Sequence, residues 1–370
     1  MTTTTPTPAR SGATTTLRLG TRRSALAVAQ SRLMAADIEA AALLSGRRIR
    51  VDLVEVTTAG DLSRAPLSSL GGVGVFVSAL REALLAGEVD LAVHSLKDLP
   101  TAAAPGLELA AVPLREDPRD ALIARDGLGL ADLPPGAVVG TGSPRRACQL
   151  LAARPDLKVV DIRGNVDTRL GMVADGQLDA VVLALSGLRR LGRDGAVTEV
   201  LDVSVMLPAP GQGALAVECR EGDAGVLAAL APLEHPETRA AVLAERSLMS
   251  TLEAGCSAPL GGLAEVNGPD RSGGLVLRLR GLVGSPDGGT VLRGDVVAAA
   301  GEEPAEAGRR LAADLLADGA GTVLTARPPD VPGSGESGSG VSGSGRSGSG
   351  ASRPDMPERP RTSQAGEGEL

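Results

Sequence analysis

Arginine residues stand at the start of three predicted helices, and each of these helices follows a predicted strand. The three segments are Thr21-Arg-Arg-Ser-Ala-Leu-Ala27, Gly140-Thr-Gly-Ser-Pro-Arg-Arg146 and Arg163-Gly-Asn-Val-Asp-Thr-Arg169. Ser24, Ser143 and Asn165 suit the N-cap position, and Pro144 suits the first helical position. A cation there opposes the helix dipole, at a cost of only about 0.3–1 kcal/mol. Three such placements indicate an anionic ligand, because the guanidinium group pairs with carboxylate or phosphate.

Two other interpretations of these arginines remain open. Any one segment fits a solvated arginine or a structural ion pair equally well, whereas three in an α/β pattern favour a ligand at the carboxyl ends of strands. Arg189 and Arg190 fit a solvated helix face as well as a site. A phosphate ligand is less favoured, since the chain has no Gly-x-x-x-x-Gly-Lys-[Ser/Thr] and Gly71-Gly-Val-Gly74 lacks a following lysine. The arginines therefore favour a carboxylate-rich small molecule.

One aspartate is placed where catalytic groups gather. The apolar run 89–93 predicts a buried strand that leads into His94-Ser-Leu-Lys-Asp-Leu-Pro100, so Asp98 lies just past the strand end. A carboxylate among arginines stays ionised and can stabilise a cation or accept hydrogen bonds from ligand N–H groups. Asp98 also fits an ordinary turn before Pro100. His94 is expected to be a hydrogen-bonded histidine at the end of the strand.

The three cysteines differ in their predicted surroundings. Cys148 falls inside a helical pattern and Cys219 inside an apolar strand, so both are expected in the core. Cys256 lies in the loop Glu253-Ala-Gly-Cys-Ser-Ala-Pro259, where a thiol can act as a nucleophile. No histidine base is evident for Cys256, so catalysis there is not favoured by the residues alone. The spacing predicts neither a disulfide framework nor a metal site.

Periodic patterns predict the elements that position these residues. Strands at 17–20, 49–56, 89–93, 138–141, 158–162 and 179–185 alternate with helices, which indicates mainly parallel sheets covered by helices. After about Glu237 the pattern changes to a helix, three antiparallel strands and a final helix. Residues 117–120 and 207–210 are proline-containing and predict crossings between domains.

Composition limits the class of protein. The 370 residues predict more than one domain, and Phe76 is the only aromatic residue, so the cores must be aliphatic. A net charge of −8 argues against a nucleic-acid binder. No signal peptide or membrane span is evident, which predicts a cytoplasmic protein that binds no membrane. Residues 1–16 and 329–370 are expected to be disordered tails, the second being rich in Gly and Ser.

The motifs together resemble the porphobilinogen deaminase family over roughly residues 17–325. The resemblance rests on the three arginine segments and on His94–Thr101, Arg115-Glu-Asp-Pro-Arg-Asp120, Pro210-Gly-Gln-Gly-Ala214 and Leu252-Glu-Ala-Gly-Cys-Ser-Ala-Pro259. It implies two α/β domains like type II periplasmic binding proteins, with the active site between them, and a small C-terminal α+β domain. The implied boundaries are 17–113 with 213–232 for domain 1, 118–208 for domain 2 and 236–328 for domain 3.

The resemblance also implies a reaction. A member of this family is a hydroxymethylbilane synthase, a monomeric transferase that condenses four porphobilinogen molecules head to tail with loss of ammonia. The chain grows on a dipyrromethane cofactor that is joined to Cys256 by a thioether. Each pyrrole carries an acetate and a propionate, which accounts for the arginines.

The roles that the resemblance implies fall into three groups. Asp98 is the catalytic residue, which holds pyrrole N–H groups and stabilises the cation left as ammonia departs. The implied cofactor-binding residues besides Cys256 are Lys97, Ser143, Arg145, Arg146 and Asn165. The implied substrate-binding residues are Arg22, Ser24, Arg163, Arg169, Arg190 and Phe76.

Departures from the family pattern keep two alternatives open. Many relatives have lysine where Val73 stands, and the second glycine before the cysteine is here Ala254. Phe76 also fits simple helix packing. The alternatives are a non-catalytic carboxylate-binding module and an inactive paralogue of the same fold.

Overall fold

The structure, a computed structural model, describes residues 14–57, 74–253, 258–269, 275–299 and 301–325. The expected C-terminal tail, 329–370, lies outside these residues, as do residues 1–13. The prediction that the disordered N-terminal tail extends to residue 16 is wrong for its last two residues. Thr15 and Thr16 belong to the first strand, where they pair with Ile49 and Arg50. β-branched threonines favour an extended backbone, and a neighbouring strand supplies the hydrogen bonds.

The first sheet has five strands. Four of them come from residues 15–111 and the fifth from residues 215–220. Its order is β2-β1-β3-β10-β4. The strands are β1 (Thr15–Thr21), β2 (Ile49–Glu55), β3 (Leu91–Ser95), β4 (Leu107–Ala111) and β10 (Leu215–Arg220). β1 runs parallel to β2 and β3, whereas β10 runs antiparallel to β3 and β4. Buried residues such as Leu19, Leu91 and Val217 join its core.

The second sheet repeats this arrangement with different strands. Its order is β7-β6-β8-β5-β9, with β6 parallel to β7 and β8, and β5 antiparallel to β8 and β9. The strands are β5 (Asp120–Ala124), β6 (Val138–Gly140), β7 (Lys158–Val160), β8 (Ala180–Ala184) and β9 (Glu199–Val200).

The prediction of mainly parallel sheets is therefore wrong, because half of the strand pairings in each five-stranded sheet are antiparallel. The antiparallel partners are β5 and β10, the first strands after the two crossings between sheets. A strand buried on both faces has the same apolar pattern in either direction, so periodicity does not reveal its direction. The predicted α/β class is confirmed.

Helices follow the strands that have parallel partners, as predicted, except β3, and a sixth helix follows the antiparallel strand β10. They are α1 (Ala25–Leu44), α2 (Gly74–Leu85), α3 (Pro144–Ala153), α4 (Val166–Ala174), α5 (Leu185–Arg190) and α6 (Ala224–Leu230). Ser24 Oγ caps α1 by accepting from Ala27 N at 3.3 Å, and Asn165 Oδ1 caps α4 by accepting from Thr168 N at 2.8 Å. Ser143 occupies the cap position of α3 without a capping bond from its side chain.

The last described part of the chain forms a smaller α+β layer, as predicted. Three antiparallel strands in the order β11-β12-β13 pack against helices. These elements are α7 (Pro236–Thr251), β11 (Leu260–Pro269), β12 (Leu275–Gly284), β13 (Val291–Val297), α8 (Pro304–Ala317) and α9 (Ala320–Thr325). Leu248, Leu279 and Leu311 are among the buried residues of this aliphatic core.

Two backbone crossings join the five-stranded sheets, and they run in contact. Glu116 N donates to the Gly213 carbonyl at 3.3 Å. Gly213 has φ of 89°, and a Cβ there would lie 2.3 Å from the Glu116 carbonyl oxygen, so only glycine fits. Glu245 of α7, which is fully buried, accepts from Arg115 at 2.6 Å and from Gly211 N at 2.6 Å. The smaller α+β layer thereby forms hydrogen bonds with both crossings.

Candidate functional site

The larger cavity lies where the carboxyl ends of strands from both five-stranded sheets meet. Its volume is about 440 Å³. Predicted site residues that line it are Arg22 and Ser24 after β1, Lys97 and Asp98 after β3, Arg146 of α3, Asn165 and Arg169 at α4, and Arg190 of α5. Residues that lie far apart in the sequence are thus brought to one space rich in cations. This is the expected location for a ligand in an α/β sheet.

A smaller cavity of about 210 Å³ adjoins the first. Predicted residues on its walls are Lys97, Asp98, Ser143, Arg145 and Arg146. Met249, Ala258 and Leu260 of the C-terminal layer complete it. Lys97, Asp98 and Arg146 line both cavities, so they form a common wall between two spaces.

Lys97 and Asp98 form a short helical turn, Leu96–Asp98, directly after β3. Burial lowers the pKa of the Lys97 ammonium to about 8; Asp98 opposes this shift, and the charge of Arg146 adds to it. Lys97 Nζ lies 3.4 Å from Gln212 Oε1. With this pKa, the Lys97 amine is mostly a cation at neutral pH.

Arg145 and Arg146 are nearly fully buried, with exposures of 4% and 6%, and both pair with Asp120. Arg145 Nη2 lies 2.8 Å from Asp120 Oδ2, and Arg146 Nη2 lies 2.7 Å from Asp120 Oδ1. Burial opposes ionisation of Asp120, but the charges of the two guanidinium groups outweigh it, and its pKa lies below the usual value. At α3, therefore, the protein itself supplies one of the anions that the helix start attracts.

Arg169 and Arg190 are held differently. Within the described residues, the buried Nε of Arg169 has no hydrogen-bond partner. Burial lowers the pKa of Arg169, and the charge of Arg146 adds to that effect. Arg190 Nη2 donates to the Gly213 carbonyl at 2.6 Å, so its partner is a backbone oxygen of the crossing. Both side chains line the larger cavity.

One predicted site residue is not brought to the cavities, and others lie outside the described residues. Arg163 is exposed, lies 3.7 Å from Asp161 and lines neither cavity. Cys256, Val73 and Ala254 lie outside the described residues, as does the side chain of Phe76. Ala258, two residues after Cys256, does line the smaller cavity. The role of Arg163 stays a prediction.

Four polar residues in or beside these walls were not predicted as site residues. Asp120 and Gln212 belong to motifs that carry the family resemblance without a predicted site role, and the residues around Asp120 also predict a crossing. Gln30 of α1, which is buried, donates to Ser95 Oγ at 2.9 Å, and both line the larger cavity. Gln30 is a single polar residue on an apolar helix, a signal too weak to predict a site. Ser95 belongs to the motif His94–Thr101 but had no predicted role.

Cys148 and Cys219 lie in the core, as predicted, and His94 is a buried residue near the end of β3. His94 Nε2 lies 3.2 Å from Glu218 Oε2, and both are buried. Cys148 and Cys219 are fully buried, and burial raises the pKa of each thiol to about 11. None of the three lines either cavity.

These features define a class of protein, namely a two-sheet α/β protein whose adjoining cavities can bind a small molecule with several carboxylates. Family models narrow the class. The model for "porphobilinogen deaminase, dipyromethane cofactor binding domain" matches residues 17–228, and the model for the C-terminal domain of porphobilinogen deaminase matches residues 239–317. The chain belongs to the porphobilinogen deaminase family.

Two relatives agree with this assignment. A porphobilinogen deaminase of Thermobifida fusca is 56% identical over 319 residues, which cover 84% of this chain and 96% of that protein. Porphobilinogen deaminase 1 of Streptomyces coelicolor is 56% identical over 318 residues, which cover 84% of this chain and 98% of that protein. Among solved structures, the VFT2 domain of Bordetella pertussis BvgS is 20% identical with a TM-score of 0.33, covering 59% of this chain and 85% of that one.

Proposed function

We propose that this chain condenses four porphobilinogen molecules head to tail into hydroxymethylbilane, with release of ammonia, in the biosynthesis of tetrapyrroles. The observation that carries the proposal is the common wall of Lys97, Asp98 and Arg146 between two adjoining cavities. One cavity would hold a retained primer and the other an incoming unit. The free end of the primer and the incoming unit, on either side of this wall, would meet at Asp98.

The charge of the site supports a substrate with several carboxylates. Each porphobilinogen unit carries an acetate and a propionate, so the product gains negative charge with every addition. Arg22, Arg169 and Arg190 line the larger cavity, where Ser24 and Asn165 cap the adjoining helices. A protein that bound one phosphate would not need cations spread over strands of two sheets. We assign Arg22, Ser24, Arg169 and Arg190, together with Arg163 and Phe76, to substrate binding, and Asn165 to cofactor binding.

The residues of the smaller cavity fit a dipyrromethane cofactor. Its ammonium and guanidinium groups, from Lys97, Arg145 and Arg146, match a ligand with carboxylates, and Ser143 adds a hydroxyl. The cavity ends at Ala258, and we propose that Cys256, two residues earlier, forms the thioether. When bound, the dipyrromethane supplies the nucleophilic pyrrole carbon on which the chain is built. Lys97, Arg145 and Arg146 would bind its carboxylates.

We assign catalysis to Asp98. Its carboxylate can accept hydrogen bonds from the N–H groups of pyrrole rings in either cavity. An ionised carboxylate also stabilises the positive charge that develops on the substrate as its amino group leaves as ammonia. We propose that it also takes the proton that is lost when the new carbon–carbon bond forms.

We further propose a transferase that works as a cytoplasmic monomer. Among the described helices, none combines the length and apolar character that a membrane crossing requires. The proposed domains are 17–113 with 213–232, 118–208 and 236–328, and each of them contains one of the three sheets. Size-exclusion chromatography with light scattering would test the monomer, and a dimer at micromolar concentration would contradict it.

The function is tested by two measurements on one preparation. We expect ammonia release from porphobilinogen, and an intact mass above that of the bare chain by one dipyrromethane. Cys256→Ser is the control, and it should show neither. A non-catalytic binding module would bind carboxylates reversibly without ammonia release, and an inactive paralogue would show no turnover. An active preparation without added mass, or with mass attached away from Cys256, would contradict the proposed attachment.

A further inference from the structure

Two neighbouring cations are buried side by side at an unfavourable position. Arg145 and Arg146 lie in the first turn of α3, where the helix dipole is positive. Both are nearly fully buried, so water does little to screen their repulsion. Side chains as long as arginine adopt many conformations, so something must fix these two in one arrangement.

The fully buried Asp120 is shared between the two guanidinium groups. Its Oδ1 accepts from Arg146 Nε at 3.1 Å and from Arg146 Nη2 at 2.7 Å, while Oδ2 faces Arg145 Nη2 at 2.8 Å. Backbone oxygens provide further acceptors for the two guanidinium groups. Arg145 Nη1 donates to the Leu207 carbonyl, and Arg146 Nη1 donates to the Val182 carbonyl. One carboxylate thus neutralises one of the two positive charges and fixes the orientation of both guanidinium planes.

A glutamine extends the cluster to the other sheet. Gln212 Nε2 donates to Asp120 Oδ1 at 2.8 Å and to the Pro118 carbonyl at 2.7 Å. The Oε1 atom of the same amide accepts from Lys97 Nζ at 3.4 Å. Gln212 is itself buried and belongs to the crossing that leads back to the first sheet. The cationic walls on both sides of the smaller cavity are therefore tied to Asp120.

We propose that Asp120 is a positioning residue for cofactor attachment. It holds Arg145 and Arg146, and through Gln212 also Lys97, in the arrangement that receives the carboxylates of the dipyrromethane. The inference rests on the proposed function, since it assigns Asp120 a part in loading that cofactor. Asp120 does not line either cavity, so it acts through the arginines and not by touching the ligand.

The test is the rate at which the bare chain acquires its cofactor. Protein made in cells that cannot synthesise porphobilinogen is incubated with porphobilinogen, and the gain of one dipyrromethane is followed by intact-mass measurement. Asp120→Asn keeps the size of the side chain and removes its charge, and the new amide N–H faces an arginine donor. We expect loading to slow by about tenfold or more, as for a misplaced binding group.

Glu218→Gln is the matched control. Glu218 is buried, and its Oε1 lies 2.7 Å from Arg81 Nη2, but the pair lines neither cavity. We expect the control to lose thermal stability to a similar degree and to load at the wild-type rate. Wild-type loading in Asp120→Asn would overturn the inference, and so would an equal slowing in Glu218→Gln.

A second variant keeps the inference testable if Asp120→Asn does not fold. Gln212→Met removes the bonds to Asp120 and Lys97 and leaves both arginines with Asp120. We expect about threefold slower loading, since only one of the three cations is released; an unchanged rate would overturn the inference. Failure of the proposed function is distinguishable, because wild-type protein would then gain no mass and release no ammonia.

Discussion

The two adjoining cavities hold their cations in different ways. Arg145 of the smaller cavity and Arg146 of the common wall are paired with a fully buried carboxylate and with backbone oxygens. In the larger cavity, Arg190 is held by one backbone carbonyl, and the Nε of Arg169 has no hydrogen-bond partner among the described residues. The first set is fixed by the protein before a ligand arrives, whereas the second keeps more of its bonding capacity for the ligand.

This difference matches the two tasks that the proposed function requires. A primer that is retained through every cycle benefits from a rigid site, because fixed partners reduce the entropy lost on binding. A substrate that enters, reacts and moves on requires cations that can exchange partners. Four sets of variants test this contrast, beginning with Asp98, one of the three residues that line both cavities.

Replacement of Asp98 should have the largest effect. Asp98→Asn removes the charge that stabilises the developing cation, and we expect turnover to fall about 1,000-fold, within the range of catalytic carboxylates. Ammonia release measures turnover, and circular dichroism checks the fold. Asp37→Asn is the control, because Asp37 is a half-buried aspartate of α1 that lines neither cavity. Turnover within a few-fold of wild type in Asp98→Asn would contradict its catalytic role.

Matched arginine variants test the contrast directly. Arg145→Gln breaks a buried ion pair, so we expect the free energy of unfolding to fall by about 3 kcal/mol. Arg169→Gln removes a cation that has no carboxylate within hydrogen-bond distance among the described residues, so the free energy of unfolding should change by less than about 0.5 kcal/mol. Its KM for porphobilinogen should instead rise about tenfold, the value of one charge-assisted hydrogen bond. Denaturant unfolding and steady-state kinetics measure the two effects.

Reversal of this pattern would contradict the assignment of fixed and available cations. If Arg169→Gln destabilised the protein as much as Arg145→Gln, then Arg169 would be a structural residue. If Arg145→Gln raised KM and left the stability unchanged, the pair with Asp120 would contribute little to the fold.

The sequence predicted the elements better than the partnerships of their side chains. Periodicity located α1, α3 and α4 and the strands before them, because burial of one face leaves a regular apolar pattern. It did not reveal the direction of β5 and β10, which depends on long-range pairing. Arginines at helix starts were found by their type and spacing. Asp120 was not predicted to be their shared partner. In the sequence alone, an acid at the start of a strand has the same pattern as a turn residue, and only the fold brings α3 against it.

The charge of Lys97 should make loading depend on pH. Its pKa of about 8 means that the ammonium loses its proton as pH rises through 8, and carboxylate binding weakens with it. We expect the ratio of wild-type to Lys97→Arg loading rates to fall by up to about tenfold per pH unit between pH 8 and 9.5, because arginine stays charged. The ratio removes the effect of the Cys256 thiol, which both proteins share. A constant ratio would contradict this role for Lys97.

Stability should change in the opposite direction over the same range. The folded-state pKa of Lys97 lies below the ordinary lysine value of 10.5, so between pH 8 and 10.5 the unfolded chain binds a proton that the folded chain does not. The contribution of Lys97 to stability therefore rises with pH in this window. The difference in the midpoint of thermal unfolding between wild type and Lys97→Arg should therefore shift in favour of wild type from pH 8 to 9.5. Over the same range the ratio of wild-type to Lys97→Arg loading rates should fall.

The smallest effect concerns the support of the rigid cavity. Cys148 of α3, the helix that carries Arg145 and Arg146, packs so closely on β12 that a Cβ at Gly284 would lie 2.2 Å from its sulfur. Gly284→Ala should therefore overpack this contact and lower the free energy of unfolding by about 1–2 kcal/mol. Addition of Cys148→Ala removes the sulfur, and the double variant should recover to within about 0.5 kcal/mol of Cys148→Ala alone.

This pair of variants also tests whether the position of α3 matters for loading. Because the clash pushes the helix that presents both arginines, Gly284→Ala should slow the gain of cofactor by a few-fold, and the double variant should restore it. Recovery of stability without recovery of the loading rate would mean that the contact stabilises the fold but does not position the arginines. The rigidity of the smaller cavity would then depend on Asp120 alone and not on the packing of α3 against β12.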